Sequence, residues 1–134
     1  MTNTFFSEVV KLRGNIYEIK ELSAAKYDRT VKQATEEIEE DGVKREEFND
    51  EKHRRLLIDL CVTTGTKVVK DGNGKLHLAD GKALELEDFR TEAGNRLWRT
   101  LVTRTLKMNL DEEPEEEIVE LEGEVSAEPV TANT

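Results

Sequence analysis

The sequence predicts an α+β fold, mainly α-helical: an N-terminal β-hairpin, about three helices, a possible second short hairpin and a disordered acidic C-terminal tail. Three observations lead to this prediction. Short runs rich in β-branched and aromatic residues flank a turn near the N-terminus. Apolar residues recur at helical spacing in later segments. The last 26 residues contain ten acidic residues and no Lys or Arg.

The net charge of −10 belongs to this tail, because residues 1–108 carry 20 acidic and 20 basic residues. We therefore expect one compact domain over residues 1–109 and an acidic tail over residues 110–134. The tail holds too few apolar residues to offset chain entropy, so it is expected to be disordered. Its acidic-hydrophobic alternation could also fold on a partner. The interrupting apolar residues are Ile118, Val119, Leu121 and Val125.

Residues 7–22 predict the first hairpin. Arg13-Gly14-Asn15 lies between two apolar runs, and Gly14 and Asn15 tolerate a positive φ. The apolar positions are Val10 and Leu12 before the turn, then Ile16 or Tyr17, Ile19 and Leu22 after it.

A first helix is predicted over residues 24–39, with Ser23 as its N-cap. Its apolar positions follow one another at steps of 3, 4, 3 and 4, which places them along one helix face. Asp41-Gly42 is expected to stop the helix. The apolar stripe consists of Ala24, Tyr27, Val31, Ala34 and Ile38.

A second helix is predicted to start at Asn49 or Asp50 and to end near residues 63–65, with Leu56, Leu57, Leu60 and Cys61 on its apolar side. Residues 66–79 then have apolar pairs on both sides of the Gly-rich run 71–74. This pattern fits a second hairpin, and an extended surface loop is the alternative.

A third helix is predicted from Asp88 to about Asn109, because Phe89, Ala93, Leu97 and Leu101 recur every four residues. The single tryptophan, Trp98, flanks this stripe, so the helix is expected to supply a large share of the core. Arg96, Arg99 and Arg104 form a basic side. This side is either a solvated face or a surface that docks the acidic tail or an acidic partner.

Residue types that support catalysis or metal binding are sparse. His53 lies in a charged helix start and His77 between two leucines of a possible strand, so both are expected at the surface. Cys61, on an apolar helix side, is expected to be a buried structural thiol. One cysteine and two separated histidines give no zinc pattern. Residues 71–75 match neither a calcium loop nor a P-loop. We expect no catalytic residues, no metal and no cofactor.

The composition also excludes several function classes. A lone cysteine allows no intramolecular disulfide and indicates a reducing, intracellular setting. The first residues lack the pattern of a signal peptide, and no window has the apolar length of a membrane span. The domain is not basic enough to suggest nucleic-acid binding, and the acidic tail would repel phosphate. A binding or solubilising role is therefore favoured over catalysis.

The run from Val10 to Tyr27, VKLRGNIYEIKELSAAKY, resembles the start of tail assembly chaperones of long-tailed (siphovirus-like) bacteriophages. Those proteins often open with a hairpin of the form V-x-x-R-G-x-x-Y-x-I-x-E, followed by a Ser-Ala cap and a helix with an early aromatic residue. Residues 56–62 are similar to the leucine-rich helix of the family that leads to a Cys-Val pair. The resemblance covers roughly residues 9–62.

The resemblance implies a non-enzymatic chaperone in the host cytoplasm that binds the tape measure protein and recruits tail tube subunits. Candidate contact residues are Tyr27, Val31 and Trp98, with Arg96 and Arg99 on the basic side; ordinary core packing is the alternative role for the three apolar residues. Two other functions are weighed: a virion component such as a head–tail connector or minor tail protein, and an acidic DNA mimic. The sequence does not give the oligomeric state.

Overall fold

The computed structural model describes residues 5–111. Within this range, 43% of the residues are helical and 34% lie in strands. The fold is therefore α+β with substantial sheet, and the prediction of a mainly α-helical chain with about three helices is wrong. The predicted disordered tail lies outside the described residues. The elements are β1 (Ser7–Leu12), β2 (Asn15–Lys20), α1 (Ala24–Ala34), β3 (Thr35–Glu40), β4 (Val43–Phe48), α2 (Asp50–Cys61), β5 (Val62–Gly65), β6 (Val68–Lys70), β7 (Leu76–Leu78), β8 (Lys82–Ala83), α3 (Leu86–Glu92) and α4 (Asn95–Leu110).

The largest sheet has four strands in the order β1-β2-β5-β8, and the predicted first hairpin, β1–β2, is confirmed. Its turn is Arg13-Gly14, and both residues have positive φ, 52° and 81°. Two successive positive φ values are typical of the type I′ turn, whose twist matches that of the flanking strands. β2 is central, pairing antiparallel with β1 and with β5.

The first helix ends earlier than the sequence predicts. Ser23 caps it as expected, since its hydroxyl accepts a hydrogen bond from the Lys26 backbone N–H. α1 then stops at Ala34, and residues 35–48 form the β3–β4 hairpin. Asp41-Gly42 is the turn of this hairpin, with φ values of 52° and 79°, rather than the end of a helix. The prediction extended the helix too far because Ile38 continues the apolar stripe at a four-residue step. A single apolar residue at that step also fits a strand, so the spacing did not distinguish the two structures.

The second helix begins as predicted, with the Asn49 side chain accepting from the Lys52 N–H, and ends at Cys61, where β5 starts directly. Residues 66–79 do form the second hairpin, β6–β7. The predicted third helix is two helices, because the chain breaks at Ala93-Gly94 between α3 and α4. The apolar residues keep their four-residue spacing across this break, so the sequence pattern gives no indication of it.

The core lies between one face of the main sheet and the helices. Alternation along β2 points Tyr17 and Ile19 to this face, where they join Ile58 and Cys61 of α2. α4 contributes Leu97, Leu101 and Val102, while Trp98 is partly buried against the same cluster. The other face of β2 is covered by the β6–β7 hairpin, as the hydrogen bonds of Glu18 to β7 indicate. The central strand is therefore buried on both faces.

Candidate protein-binding surfaces

An open groove lies between strand β1 and helix α4, with a volume of about 780 Å³. We call it the edge groove, because β1 is an edge strand that pairs only with β2 among the described residues. Phe6, which lines the groove, is 42% exposed, and its chain neighbour Phe5 is 50% exposed. The lining residues are Phe6, Ser7, Glu8 and Glu21 on the strand side and Thr103, Arg104, Lys107, Met108, Asn109 and Asp111 on the helix side.

Polar contacts fix the two walls of the edge groove. Arg104 on α4 holds both carboxylate oxygens of Glu8 on β1, at 3.1 and 3.2 Å. Phe6 donates its N–H to the Glu21 carboxylate and accepts from the Glu21 N–H, both at 2.8 Å, so the pairing of the two strands extends beyond β1. The Asn109 side chain accepts from the Leu22 N–H at 2.8 Å and donates to the Thr105 carbonyl. The groove therefore has walls that are held in place by the fold.

Helix α4 carries its bases along one exposed face. Arg96, Arg99 and Lys107 are exposed, and the spacing of three, four and four residues through Thr103 keeps them on one side. We call this the basic face of α4. The third arginine of the sequence prediction, Arg104, lies at its border and is engaged by Glu8. The helix contains four basic residues and no acidic residue.

Trp98 lies on another side of α4 and is half-buried. The Arg90 guanidinium sits 5.1 Å from the centre of its indole, and Phe89 packs beside it at 6.4 Å between ring centroids. Arg90 also contacts the Glu51 carboxylate at 3.3 Å. These contacts place Trp98 under an arginine of α3 and leave only part of the ring to a partner.

The other predicted contact residues, Tyr27 and Val31, are half-buried on α1. The Tyr27 ring packs edge-on against His53 at 5.4 Å. No hydrogen bond, ion pair or ring contact within residues 5–111 joins them to Trp98, Arg96 or Arg99. Two of the five predicted residues therefore lie on α1 and three on α4, and whether any of them binds a partner stays a prediction.

The prediction of a surface His53 is wrong. The residue is 5% exposed and lies between Tyr27 and Phe48, with Nε2 at 2.9 Å from the Thr30 hydroxyl. That hydroxyl donates to the Tyr27 carbonyl, so it accepts from His53, which makes Nε2 the protonated nitrogen of the neutral ring. Burial lowers the pKa of His53 below 6.5. The sequence did contain evidence that His53 is buried, since it lies four residues before Leu57 and therefore shares its helix face.

His77 is also less exposed than predicted. Its Nδ1 lies 2.9 Å from the Glu18 carboxylate and its Nε2 lies 3.0 Å from the Asp71 carboxylate. These hydrogen bonds, first to Glu18 and then to Asp71, raise the pKa of His77 above 6.5. Glu18, which sequence reasoning missed, is 2% exposed and accepts also from the Leu78 N–H. It joins the β6–β7 hairpin to the main sheet, and nothing in the order of residues identifies that pairing.

Cys61 is buried and free, as predicted. Burial raises the pKa of its thiol to about 11, against a smaller lowering effect of the Asn109 side chain, so the thiolate is disfavoured at neutral pH. Within the described range, no group of three or more His, Cys, Asp or Glu side chains is arranged to hold a metal ion. None of the helices in that range has the length and apolar character needed to cross a membrane.

Comparison of the chain with protein-family models, curated proteins and solved structures gave no match. The function proposed below therefore depends on the resemblance in residues 9–62 and on the surfaces described above.

Proposed function

We propose that the chain is a non-enzymatic tail assembly chaperone of a long-tailed bacteriophage, which acts in the host cytoplasm, binds the tape measure protein and recruits tail tube subunits. The observation that carries the proposal is the edge groove, which combines an unpaired strand edge, the exposed Phe6 and a helix wall. An extended client segment could hydrogen-bond to the edge of β1 while its apolar side chains cover Phe6. The N-terminal resemblance supplies the class of client.

The position of the groove supports this role. Exposed apolar side chains beside an unpaired edge are a liability for a chain without a partner, because they invite aggregation. A chaperone uses the same features to hold a client temporarily. The groove has a volume of about 780 Å³ and is open to solvent, so it can admit part of an extended chain without enclosing it.

The experiment compares two tryptophan substitutions on exposed helix positions. Thr103→Trp places an indole in the edge groove, whereas Gln33→Trp places one on α1, outside the groove lining. Binding of each full-length variant to recombinant tape measure protein of the same phage is measured by calorimetry. We expect Thr103→Trp to weaken binding at least about tenfold, a loss of about 1.4 kcal/mol. Gln33→Trp should bind as the wild type does.

Equal binding by both variants would exclude the edge groove as the client site. Absence of binding by the wild-type chain would contradict the chaperone function itself. The circular dichroism spectra of both variants should match the wild-type spectrum. A difference in binding then reflects a change in the groove rather than a loss of folded structure.

A further inference from the structure

We infer that two copies of this chain associate through the β3–β4 hairpin of one copy and the basic face of α4 of the other. This association does not rest on the proposed function: it involves a different partner, and although Lys107 also lines the edge groove, the two arginines that the test replaces, Arg96 and Arg99, lie outside the groove lining. Two observations carry it: a folded arm with a strong negative charge and a helix with only positive charge, both on the same molecule.

The acidic hairpin, Thr35–Phe48, contains seven acidic and two basic residues, a net charge of −5. Every residue of β4 is exposed, and each strand has one edge without a strand partner among the described residues. Its connection to the helices is at its base, where Asn49 donates its N–H to the Ala34 carbonyl and Phe48 contacts the His53 ring at 5.0 Å. The hairpin is therefore an unpartnered sheet.

The register of this hairpin works against its own stability. Glu36 faces Glu47, and Glu37 faces Glu46, so two pairs of like charges lie directly opposite each other. Like charges at opposed positions destabilise an antiparallel pair. Arg45 relieves only part of this repulsion, through Glu40 at 2.9 Å and Glu47 at 3.2 Å. A positively charged surface placed against the hairpin would relieve the rest.

The basic face of α4 is such a surface. Its bases have no acidic neighbour on the helix, which carries a net charge of +4, and the ion pairs recorded for residues 5–111 do not involve Arg96, Arg99 or Lys107. Charge complementarity of this kind speeds association and selects the partner. Since the acidic and the basic surface are different, the contact joins two unlike patches of identical chains.

The test uses full-length chains in sedimentation velocity at about 0.1 M and about 1 M salt, where the Debye lengths are about 10 Å and about 3 Å. Wild-type protein should associate reversibly at the lower salt concentration and become monomeric at the higher one. Arg96→Glu/Arg99→Glu should weaken association at least about tenfold. The matched control is Lys26→Glu/Arg29→Glu, an equal charge change at the same spacing on exposed positions of α1, which should associate as the wild type does.

The hairpin variant is Glu37→Lys/Glu46→Lys, which replaces one opposed like-charge pair with another and so leaves the repulsion within the hairpin unchanged. It should also lose self-association, and a mixture of the hairpin variant and the α4 variant should regain it. A wild-type chain that is monomeric at both salt concentrations would overturn the inference. So would variants that associate normally, or a mixture that stays monomeric. In particular, normal association of the hairpin variant would overturn the hairpin as the partner of α4 and leave the acidic residues after Asp111 as the alternative ligands.

Discussion

At the scale of single residues, the two histidines stabilise the fold in opposite protonation states. His53 is buried as the neutral ring beside Tyr27 and Phe48 and donates to Thr30. His77 bridges two carboxylates with both ring nitrogens, and this arrangement favours the imidazolium. From the sequence, both histidines were predicted to lie at the surface. The residues next to His53 in the chain are charged, whereas Tyr27 and Phe48, which cover its ring, lie in other elements.

The two histidines predict that the free energy of unfolding depends on pH. One substitution at each histidine separates their contributions. The pKa of His77 is raised above 6.5 in the folded chain, so its contribution is complete below pH 6.5 and is lost as the pH rises through the folded-state pKa. The pKa of His53 is lowered, so its contribution is complete above pH 6.5 and is lost as the pH falls through the folded-state pKa.

Urea denaturation between about pH 5 and pH 8 measures both effects. The stability difference between wild type and His77→Gln should shrink as the pH rises, whereas the difference for His53→Gln should shrink as the pH falls. If both differences followed the same slope, the assignment of the two rings would be wrong.

At the scale of elements, two hairpins with the same turn geometry were unequally predictable. Arg13-Gly14 and Asp41-Gly42 both have two successive positive φ values near 52° and 80°. The first lies between β-branched and aromatic residues, which favour strands. The second follows a Glu-rich run that also suits a helix, so the predicted helix was extended through residues 35–39 and Asp41-Gly42 was interpreted as its end. Asp-Gly is a strong signal for a two-residue hairpin turn, and here it indicates the structure better than the helical spacing does.

The like-charge pairs of the acidic hairpin predict that a single charge reversal stabilises it. Glu46→Lys places a lysine opposite Glu37 and converts repulsion into attraction. We expect a gain of about 0.5–1 kcal/mol in the free energy of unfolding, from urea denaturation at low salt. Glu39→Lys is the control, since it makes the same charge change in the same hairpin but places a lysine opposite Lys44, and it should bring no gain. An unchanged or lower stability of Glu46→Lys would contradict the register of the hairpin.

The junction of β5 with the following loop depends on a glycine. A Cβ at Gly65 would lie 2.6 Å from the Asp80 Oδ1 atom and 3.0 Å from the Asp80 carbonyl oxygen. Asp80 cannot move freely, because its carboxylate accepts hydrogen bonds from the Lys67 N–H and from the N–H and hydroxyl of Thr66, which hold its pKa at about 2.

Gly65→Ala should therefore lower the free energy of unfolding by about 1–3 kcal/mol through overpacking. Gly72→Ala is the matched control, since nothing lies within 4 Å of its added Cβ. Thermal and urea denaturation of both variants measure the difference. Similar stabilities of the two variants would show that the loop can shift away from β5.

At the scale of the whole molecule, acidic and basic residues of the folded domain lie on different elements. Residues 1–108 carry equal numbers of acidic and basic residues, yet the hairpin holds −5 and α4 holds +4. The sequence alone identified the basic side of α4 through Arg96 and Arg99. It missed the hairpin, and hence the complementary surface, because residues 35–39 were assigned to the end of the first helix and residues 43–48 to no element.

The edge groove could not be predicted from the order of residues. Phe6 and Met108 lie 102 positions apart in the chain and line the same groove only because α4 packs across the main sheet beside β1. Local patterns predicted the N-terminal hairpin, the Ser23 cap and the second hairpin. The contacts between distant elements depend on packing, which leaves no local periodic signal.

The proposed role, an assembly chaperone that binds its client in the edge groove, is tested most directly during infection. Tagged wild-type chain and tagged Thr103→Trp are captured from infected cells, and the captured proteins and the finished phage particles are identified by mass spectrometry. We predict that wild type recovers the tape measure protein and the tail tube subunit, that Thr103→Trp loses the tape measure protein, and that finished particles contain neither form of the chain. Stoichiometric amounts of the chain in finished particles would contradict this role and make the chain a structural component of the virion.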